Sequence, residues 1–391
     1  FFKQKTAYEI YQCDWSSDVC SSDLAAWAKS FDVDVAARFT GYSTFGYTTT
    51  WKAGANWQLI DDLRLRATRS RNIREPTLVD LYKTGSISQS SITDPTDNTV
   101  VNNRNLATGN PNLKAEKSDE TDAGFVIQPR FFPGFSFSFD YYNIDISDAV
   151  NSLGLTQLIP LCNQGNQAAC ATYDYEGTGA NRIIISTSSP GNFATESERG
   201  FDIEAGYTLP LSDLNAGWDG KLTARFLATH YISYKVFSGA NGDITIQYAG
   251  VNTGKQNGSL GLPSWKYMGV LNYALDPVTV GVTFRGLSSG LVNSTYVECT
   301  SGCPVSTGQH QTVSNNHMDG GMFVDLNLSY KLHIGDTTTS ELFLNVRNLA
   351  NADPALQPLG PGGSNYDFYP ANSGQYDIMG RIFRAGIRFK M

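Results

Sequence analysis

The feature that most constrains the fold is an alternating run at residues 135–147, FSFSFDYYNIDIS. Phenylalanine occupies positions 135, 137 and 139, and serine or aspartate follows each of them. A period of two residues predicts a β-strand with one apolar and one polar face. Tyr141 and Tyr142 indicate where this strand leaves an apolar zone and meets water. Beyond them the apolar residues Ile144 and Ile146 have the opposite parity, which suggests a β-bulge within the run.

The same alternation recurs along most of the chain, so the sequence predicts an all-β protein. Together with the segment that leads into residue 135, these runs give about a dozen strands. The further candidate strands lie at 31–39, 51–59, 63–68, 201–209, 218–231, 265–273, 278–285, 324–332, 341–347 and 383–391.

The connections between the candidate strands alternate between short and long. Short turns lie at 60–62, 131–134, 275–277 and 334–339, and long loops lie at 73–112, 148–180, 233–262 and 286–319. Short turns at one end and long loops at the other are typical of an antiparallel transmembrane β-barrel of the outer membrane. A soluble β-sandwich also alternates, but it explains strands of this length and their terminal aromatic residues less well. The stretch at 74–112 is polar, and a structureless loop of that length is usually functional.

Composition limits the possible partners of the chain. The net charge is −8, and a nucleic-acid-binding domain would instead favour a basic patch, so we expect no nucleic acid. No run approaches the roughly 18 apolar residues of a membrane-spanning helix. The negative mean hydropathy does not exclude a membrane barrel, because half of each strand faces a polar lumen.

Charged residues on the candidate strands share the polar parity. Charges facing lipid would cost about 2–4 kcal/mol each at the bilayer midplane, so their confinement to one parity favours a barrel. We expect these residues to face the lumen, where they either position another domain or form a solvated wall. They are Asp32, Asp34, Arg64, Arg66, Asp202, Glu204, Arg225, Arg285, Asp325, Arg384 and Arg388.

Four cysteines outside the first 24 residues form two local pairs, Cys162 with Cys170 and Cys299 with Cys303. Such pairs in Gly-, Asn- and Gln-rich segments predict loop disulfides in an oxidising compartment. A zinc site formed by Cys299, Cys303, His310 and His317 is the weaker alternative, since its spacing matches no common zinc finger.

Residues 1–24 resemble a translated sequencing adapter. KQKTAYEI at 3–10 and DWSSDVCSSDL at 14–24 match its two arms, and the residues between them fall where a variable index would lie. We therefore expect two parts, an artefactual segment at 1–24 and the folded protein at 25–391. The segment should form no ladder with residues 31–39.

Five motifs, in order, carry a family resemblance. RSRNIREPTLVDLY at 69–82, GNPNLKAEKSDET at 109–121, SERGFDIEA at 197–205, NVRNLANADP at 345–354 and the closing strand at 381–391 resemble motifs of TonB-dependent outer-membrane receptors. Ala115 stands where proline is usual in that family, and Met391 stands where an aromatic residue is usual. The resemblance extends from about Ala25 to Met391.

This resemblance implies an incomplete antiparallel barrel, with about 12–13 of about 22 strands, a sheet that is open or closed only by strain, and no plug domain. It implies an active transporter in the Gram-negative outer membrane that imports a scarce, bulky extracellular ligand with energy coupled through TonB. A siderophore, cobalamin and an oligosaccharide all remain open as that ligand. The implied partners are outer-membrane lipid, an N-terminal plug and, through it, the TonB complex.

Two other classes of function remain as alternatives to active import. They are a passive porin-like channel and, less favoured, a soluble β-sandwich binding module. The sequence has no G-x-S-x-G motif and no evident Ser/His/Asp set, so we expect neither an enzyme nor a cofactor.

Overall fold

The computed structural model describes residues 11–13, 29–42, 46–97, 99–238, 244–253, 261–307, 310–334, 338–356 and 371–390. Most of the regular structure in them is β-strand. In chain order the strands are β1 (Tyr11–Cys13), β2 (Ser30–Tyr42), β3 (Gly46–Ile60), β4 (Leu63–Arg74), β5 (Ser86–Thr93), β6 (Val100–Ala107), β7 (Glu116–Ile127), β8 (Phe135–Asn151), β9 (Tyr173–Glu176), β10 (Ile183–Ser188), β11 (Gly191–Pro210), β12 (Lys221–Ser238), β13 (Ile244–Gln247), β14 (Trp265–Leu275), β15 (Val278–Leu287), β16 (Gly290–Leu291), β17 (Val297–Glu298), β18 (Thr312–Val313), β19 (His317–Met318), β20 (Gly321–Ile334), β21 (Thr338–Arg347) and β22 (Ile382–Lys390).

Helices are few and short among these residues. They are α1 (Leu78–Tyr82), α2 (Leu155–Asn163), α3 (Gln167–Cys170) and two 3-10 turns at Gly179–Asn181 and Leu211–Asp213. None of the helices that the structure describes is long and apolar enough to cross a membrane.

One large antiparallel sheet organises the molecule. Its 14 strands follow the order β1-β2-β3-β4-β7-β8-β11-β12-β14-β15-β20-β21-β22, with β13 beside β12. The C-terminal strand β22 pairs with the strand before it, β21. Within the described residues β22 has no second partner, so the sheet is open, as expected for an incomplete barrel.

The first strand contradicts one expectation about the N-terminal segment. Tyr11–Cys13 pairs antiparallel with residues 37–39 of β2, so the expectation of no ladder between residues 1–24 and 31–39 is wrong. The physical reason is that β2 would otherwise be a free edge, and backbone groups at an edge accept any extended segment. Residues 3–10 lie outside the described part of the chain.

The sheet has two chemically different faces. We call the face that carries Phe135, Phe137 and Phe139 the outer face, and the opposite face, which carries Asp140, the inner face. Register pairs keep the outer face apolar from strand to strand, as in the row Phe139, Phe125 and Leu65.

The predicted bulge at 135–147 is wrong. β8 keeps a continuous register with β7 from Phe137 to Ser147 and with β11 from Phe135 to Ile146. Ile144 and Ile146 therefore lie on the inner face, and Asn143 and Asp145 lie on the outer face. The change of parity has another cause. At this level the outer face leaves the apolar zone, while the strand itself continues straight.

The long connections all leave the same end of the sheet. They join β4 to β7, β8 to β11, β12 to β14, β15 to β20 and β21 to β22. The first two fold together into a unit that we call the loop unit, which comprises β5, β6, β9, β10, α2 and α3. Its four strands form a separate sheet in the order β5-β6-β10-β9.

The loop unit has its own apolar core. Val101, Leu155, Ile159 and Ile184 are buried together between the small sheet and α2. The prediction of a structureless loop at 74–112 is therefore wrong. Residues 86–107 form strands because β5 pairs with β6, and β6 pairs with β10, which arrives from the next long connection and carries β9 on its other side.

Candidate functional site

The register of the large sheet places every charged residue predicted to face the lumen on the inner face. One row of paired residues, for example, runs from Arg64 through Val126 and Ser138 to Glu204. It continues across β12 and β14 and ends at Arg285 on β15. The same alternation holds for all of the set: Asp32, Asp34, Arg64, Arg66, Asp202, Glu204, Arg225, Arg285, Asp325, Arg384 and Arg388.

Several of these residues form ion pairs with each other or with further inner-face residues. Arg66 donates from Nε to Oδ1 of Asp140 at 2.6 Å across the intervening strand β7. Gly124 makes this contact possible, because a Cβ at that position would lie 2.1 Å from Asp140 Oδ1. Arg225 pairs with Glu204 at 2.8 Å. These side chains form a paired, partly solvated wall.

Other inner-face residues also have partners on neighbouring strands. Arg388 contacts Glu341 at 3.1 Å, and Asp202 accepts a hydrogen bond from the Thr229 hydroxyl at 2.6 Å. In the part of the chain that the structure describes, four members of the predicted set form neither an ion pair nor a side-chain hydrogen bond. These four are Asp32, Asp34, Arg64 and Arg384.

Arg285 and Asp325 belong to a denser cluster at the end of the sheet where the long loops lie. Arg285 contacts Asp325 at 3.2 Å and Asp377 at 2.7 Å, and Arg347 also contacts Asp377 at 2.7 Å. The Asp377 side chain is 1% exposed. Burial opposes its ionisation, but the hydrogen bonds from Arg285, the Met379 N–H and Arg347 outweigh it and lower the pKa of Asp377.

Asp377 lies in the connection between β21 and β22, which was not among the loops predicted from the sequence. Its neighbour Tyr376 accepts a hydrogen bond from the Asn252 side chain at 3.2 Å and donates one to the Asp319 carbonyl at 2.6 Å. Three long connections therefore meet at Tyr376. The alternation of short and long connections is the signal that could have identified this loop, since β21 ends at the side of the long loops.

The loop unit is held by a second buried charge cluster. Asp94 is completely buried and accepts hydrogen bonds from Tyr175 at 2.8 Å and Arg182 at 2.9 Å. Burial and this bond to Asp94 raise the pKa of Tyr175 to about 12. Hydrogen bonds from the Thr99 hydroxyl and N–H, and from Arg182, lower the pKa of Asp97. The cluster fixes the strands of both long connections against each other.

A disulfide closes the helical part of the loop unit. Cys162 at the end of α2 and Cys170 at the end of α3 have Cα atoms 4.7 Å apart, within the limit of about 7 Å for a bridge. Asn166 caps α3 by accepting a hydrogen bond from the Ala169 N–H at 3.1 Å. Leu158, Leu161 and Ala169 pack beside the bridge.

Among the residues that the structure describes, no element covers one face of the sheet of the loop unit. Gln89, Ser91, Asn102, Arg104 and Ile183 share this face by register, and a pocket of about 380 Å³ lies against it. Arg104 contacts Glu176 at 3.7 Å at the far side. We call this surface the open face. It offers amide, hydroxyl and guanidinium donors to a polar ligand.

The GNP motif anchors the loop unit to the large sheet. A Cβ at position 109 would lie 2.7 Å from the Leu81 carbonyl carbon, so only glycine allows this approach to α1. Asn110 donates its N–H to the Asp80 carbonyl at 2.8 Å and its side-chain amide to the Pro190 carbonyl at 2.9 Å. The motif thus ties the start of β7 to α1 and to the start of β11.

The second cysteine pair also forms a disulfide. Cys299 and Cys303 have Cα atoms 5.6 Å apart, so their sulfurs are not available as thiolate ligands. His310 Nδ1 lies 3.2 Å from the Thr295 carbonyl, and His317 Nε2 lies 3.2 Å from Asp319. Among the residues that the structure describes, no group of three His, Cys, Asp or Glu residues is arranged to hold a metal. The zinc alternative drawn from the spacing is therefore not formed.

Comparison with protein-family models gives a match over most of the chain. The TonB-dependent receptor-like β-barrel family matches residues 15–349. No curated protein matches the chain.

Solved structures with the same fold are distant in sequence. A mutant ferric enterobactin receptor (PfeA) of Pseudomonas aeruginosa in complex with enterobactin aligns with a TM-score of 0.60 at 16% identity, over 91% of this chain and 43% of that one. The siderophore receptor PirA of Acinetobacter baumannii aligns with a TM-score of 0.57 at 16% identity, over 92% and 43%. The FrpB iron transporter of Neisseria meningitidis aligns with a TM-score of 0.54 at 14% identity, over 92% and 43%. The chain thus spans less than half the length of the solved structures that it matches.

Proposed function

The chain belongs to the TonB-dependent receptor-like β-barrel family, and from this premise we propose that residues 25–391 form the C-terminal part of the barrel of an outer-membrane receptor in a Gram-negative bacterium. The receptor binds a bulky ligand in its long loops and imports it with energy coupled through TonB. The observation that carries this proposal is the division of the large sheet. Its outer face is apolar, its inner face is charged, and ordered long loops lie at one end.

The inner face supports a second part of the proposal, a plug domain inside the completed barrel. Arg66, Glu204 and Arg225 already have partners on the wall, so they need no further ones. The unpaired residues Asp32, Asp34, Arg64 and Arg384 are instead the proposed contacts of the plug. Ion pairs at such sites are screened by water, so they position the plug weakly and allow it to move.

We propose an iron–siderophore complex as the ligand. Solved structures with this fold include proteins described as a ferric enterobactin receptor and a siderophore receptor. The open face supports the assignment, because Arg104, Asn102 and Gln89 offer donors that suit an oxygen-rich chelate. The two disulfides keep the loops in few conformations, which lowers the entropy cost of binding.

Binding to the 391-residue chain in detergent tests the ligand class. Ferric siderophores, cobalamin and oligosaccharides are titrated separately, and we expect binding of a ferric siderophore alone. Arg104→Gln should weaken it by about tenfold, the effect of one charge-assisted hydrogen bond. The control is Arg130→Gln, because Arg130 lies in a short turn at the opposite end, paired with Asp61 and Asp62. Binding of cobalamin or an oligosaccharide instead would refute the siderophore assignment.

Uptake by cells separates active import from passive diffusion. The full receptor that contains this chain is expressed in a strain without its own siderophore receptors, with and without TonB. We expect uptake of labelled iron only when TonB is present. Equal uptake in both strains would identify a porin-like channel and overturn the active mechanism.

A further inference from the structure

Two arginines lie on the outer face immediately beyond its apolar zone. On β4 the outer-face residues are Leu63, Leu65 and Ala67, and the next one towards the long loops is Arg69. On β11 the last apolar residue of this face is Phe201, and the next one in the same direction is Arg199. Each arginine is therefore the first charged side chain that its strand presents outside the apolar zone.

A row of register pairs connects the two arginines. Arg69 pairs with Thr121, Thr121 with Asn143, and Asn143 with Arg199. With a strand spacing of about 4.8 Å, the two arginine backbones lie about 14 Å apart. The row carries two positive charges, a hydroxyl and an amide, and no carboxylate.

The neighbouring row on the side of the long loops is already neutralised. Arg71 and Asp119 form a two-pronged ion pair with both N–O distances at 2.8 Å. Asp145 in that row accepts a hydrogen bond from Asn143 at 2.7 Å. Lys235 lies at the far end of the same row. The row next to the apolar zone thus carries two arginines and no carboxylate of its own.

Both guanidinium groups have free donors. Arg199 is exposed and has no hydrogen-bond or ion-pair partner in the described stretches of the chain. Arg69 is exposed and donates one N–H to the Thr121 hydroxyl, which leaves its remaining donors free. A guanidinium group presents its donors in a planar fork that matches the oxygens of a phosphate.

An aromatic cluster lies next to this row, on the side of the apolar zone. His230 stacks on Trp265 with ring centroids 4.3 Å apart, and Phe201 lies 5.0 Å from His230 and 5.6 Å from Trp265. Amphipathic aromatic residues on a membrane protein concentrate where the acyl chains meet the headgroups. The two arginines, one step beyond this boundary, therefore lie at the level of the lipid headgroups.

We propose that Arg69 and Arg199 bind the phosphate groups of lipids in the outward-facing leaflet, with Thr121 and Asn143 completing a headgroup site on the outside of the barrel. The inference rests on the outer-membrane location in the proposed function. It adds a lipid site that is separate from the ligand-binding loops and from the lumen. Charge complementarity favours an anionic lipid over a neutral one.

Lipid binding to the 391-residue chain in neutral detergent micelles tests the proposal by native mass spectrometry. The probes are a glucosamine-disaccharide lipid with two phosphates, the same lipid without phosphates, and inorganic phosphate. We expect the phosphorylated lipid to bind at least about tenfold more tightly than the other two probes. The double variant Arg69→Gln/Arg199→Gln should lose this preference, and Arg69→Lys/Arg199→Lys should retain part of it.

The matched control is Arg64→Gln/Arg384→Gln, which removes two unpaired arginines from the inner face. It should leave binding of the phosphorylated lipid within about twofold of the parent chain, since these residues do not face lipid. Equal losses in both double variants would show a general charge effect and overturn the site. Equal binding of the lipid without phosphates would overturn it as well, and tight binding of inorganic phosphate would identify a plain anion site instead.

Flotation with phosphatidylcholine vesicles separates this inference from the function on which it rests. A chain that does not float with the vesicles contradicts the membrane location and therefore also the headgroup site. A chain that floats but shows no preference for the phosphorylated lipid contradicts only the headgroup site. Variants are compared only where their heat-dependent gel mobility matches that of the parent chain.

Discussion

The large sheet and the loop unit bury their apolar residues against different media. On the sheet, large outer-face side chains remain in contact with the surroundings, as for Phe383 at 64% and Phe389 at 66% exposure. In the loop unit, Ile159 and Ile184 are fully buried by other parts of the chain. The sheet therefore depends on lipid for its hydrophobic stabilisation, whereas the loop unit has a core of its own, like a small soluble domain.

The two regions also treat charges differently. On the inner face of the sheet, ion pairs such as Arg225 with Glu204 remain accessible to water and contribute little to stability. In the loop unit, Asp94 is completely enclosed and depends on Tyr175 and Arg182 for its hydrogen bonds. Removing one partner of such a buried charge costs much more than removing one partner of an exposed pair.

The largest expected effect tests whether the loop unit has an independent core. Ile184→Ala should lower the stability of the loop unit by about 2–5 kcal/mol, because it removes a fully buried side chain and leaves a cavity. Hydrogen exchange should then increase in β6 and β10 but not in β14 or β15. The control is Ile87→Ala, since Ile87 is 70% exposed on the edge strand of the same small sheet. Faster exchange throughout the large sheet would mean that the two regions unfold together.

The next effect tests whether the outer face depends on lipid. Val282→Arg places a charge in the middle of the outer face, between Leu271 and Leu326, and should cost about 2–4 kcal/mol in a bilayer. Thr283→Arg is the matched control, because this neighbouring residue points to the inner face beside Asp325. Denaturant unfolding from lipid vesicles measures both. If the control were destabilised as much as Val282→Arg, the assignment of the faces would be wrong.

A third prediction concerns the disulfide of the loop unit. Cys162→Ser/Cys170→Ser should destabilise α2 and α3 by roughly 2–3 kcal/mol, because the bridge restricts the unfolded loop. Cys299→Ser/Cys303→Ser should leave the loop unit unchanged, since that bridge belongs to a different long connection. Hydrogen exchange of residues 155–170 reports both changes. A response to the second pair would show that the two connections are coupled.

The smallest effect is a pH dependence confined to the loop unit. The pKa of Asp97 is lowered in the folded state, so its contribution to stability is present above the unfolded pKa and is lost as the pH falls through the folded pKa. We expect the loop unit to open more readily below about pH 4. Asp97→Asn should reduce that dependence.

Asp174→Asn is the control for this pH dependence, because Asp174 lies on the same small sheet and forms no ion pair in the described residues. An unchanged acid response in Asp97→Asn would mean that other carboxylates govern it.

The sequence predicted most of the large sheet well because its long strands carry their own alternating patterns. The faces of β8, β11 and β15 follow directly from local periodicity, and the charged residues of the inner face follow from the same count. The interpretation of 135–147 as bulged was wrong for a related reason. A local pattern reports the polarity of the surroundings, and a change of surroundings along a straight strand has the same signature as a bulge.

Local sequence patterns could not predict the loop unit. β6 pairs in parallel with β10, which comes from the following long connection, and neither strand alternates strongly on its own. The contact of Asp94 with Arg182 likewise joins residues that no spacing rule connects. The long connection between β21 and β22 was also missed, although the alternation of short and long connections could have predicted it.

The sequence by itself determined most strands of the large sheet, the two faces of that sheet, the local cysteine pairs and the family resemblance. All of these are properties of neighbouring residues, which meet the same environment or lie within reach of each other whatever the rest of the chain does. Only the tertiary structure decided that two long connections form one domain-like unit. It also decided that Asp377 forms ion pairs with both Arg285 and Arg347, and that Arg69 and Arg199 lie in one row of the sheet. These depend on which distant strands become neighbours, and that choice is made by the packing of the whole sheet.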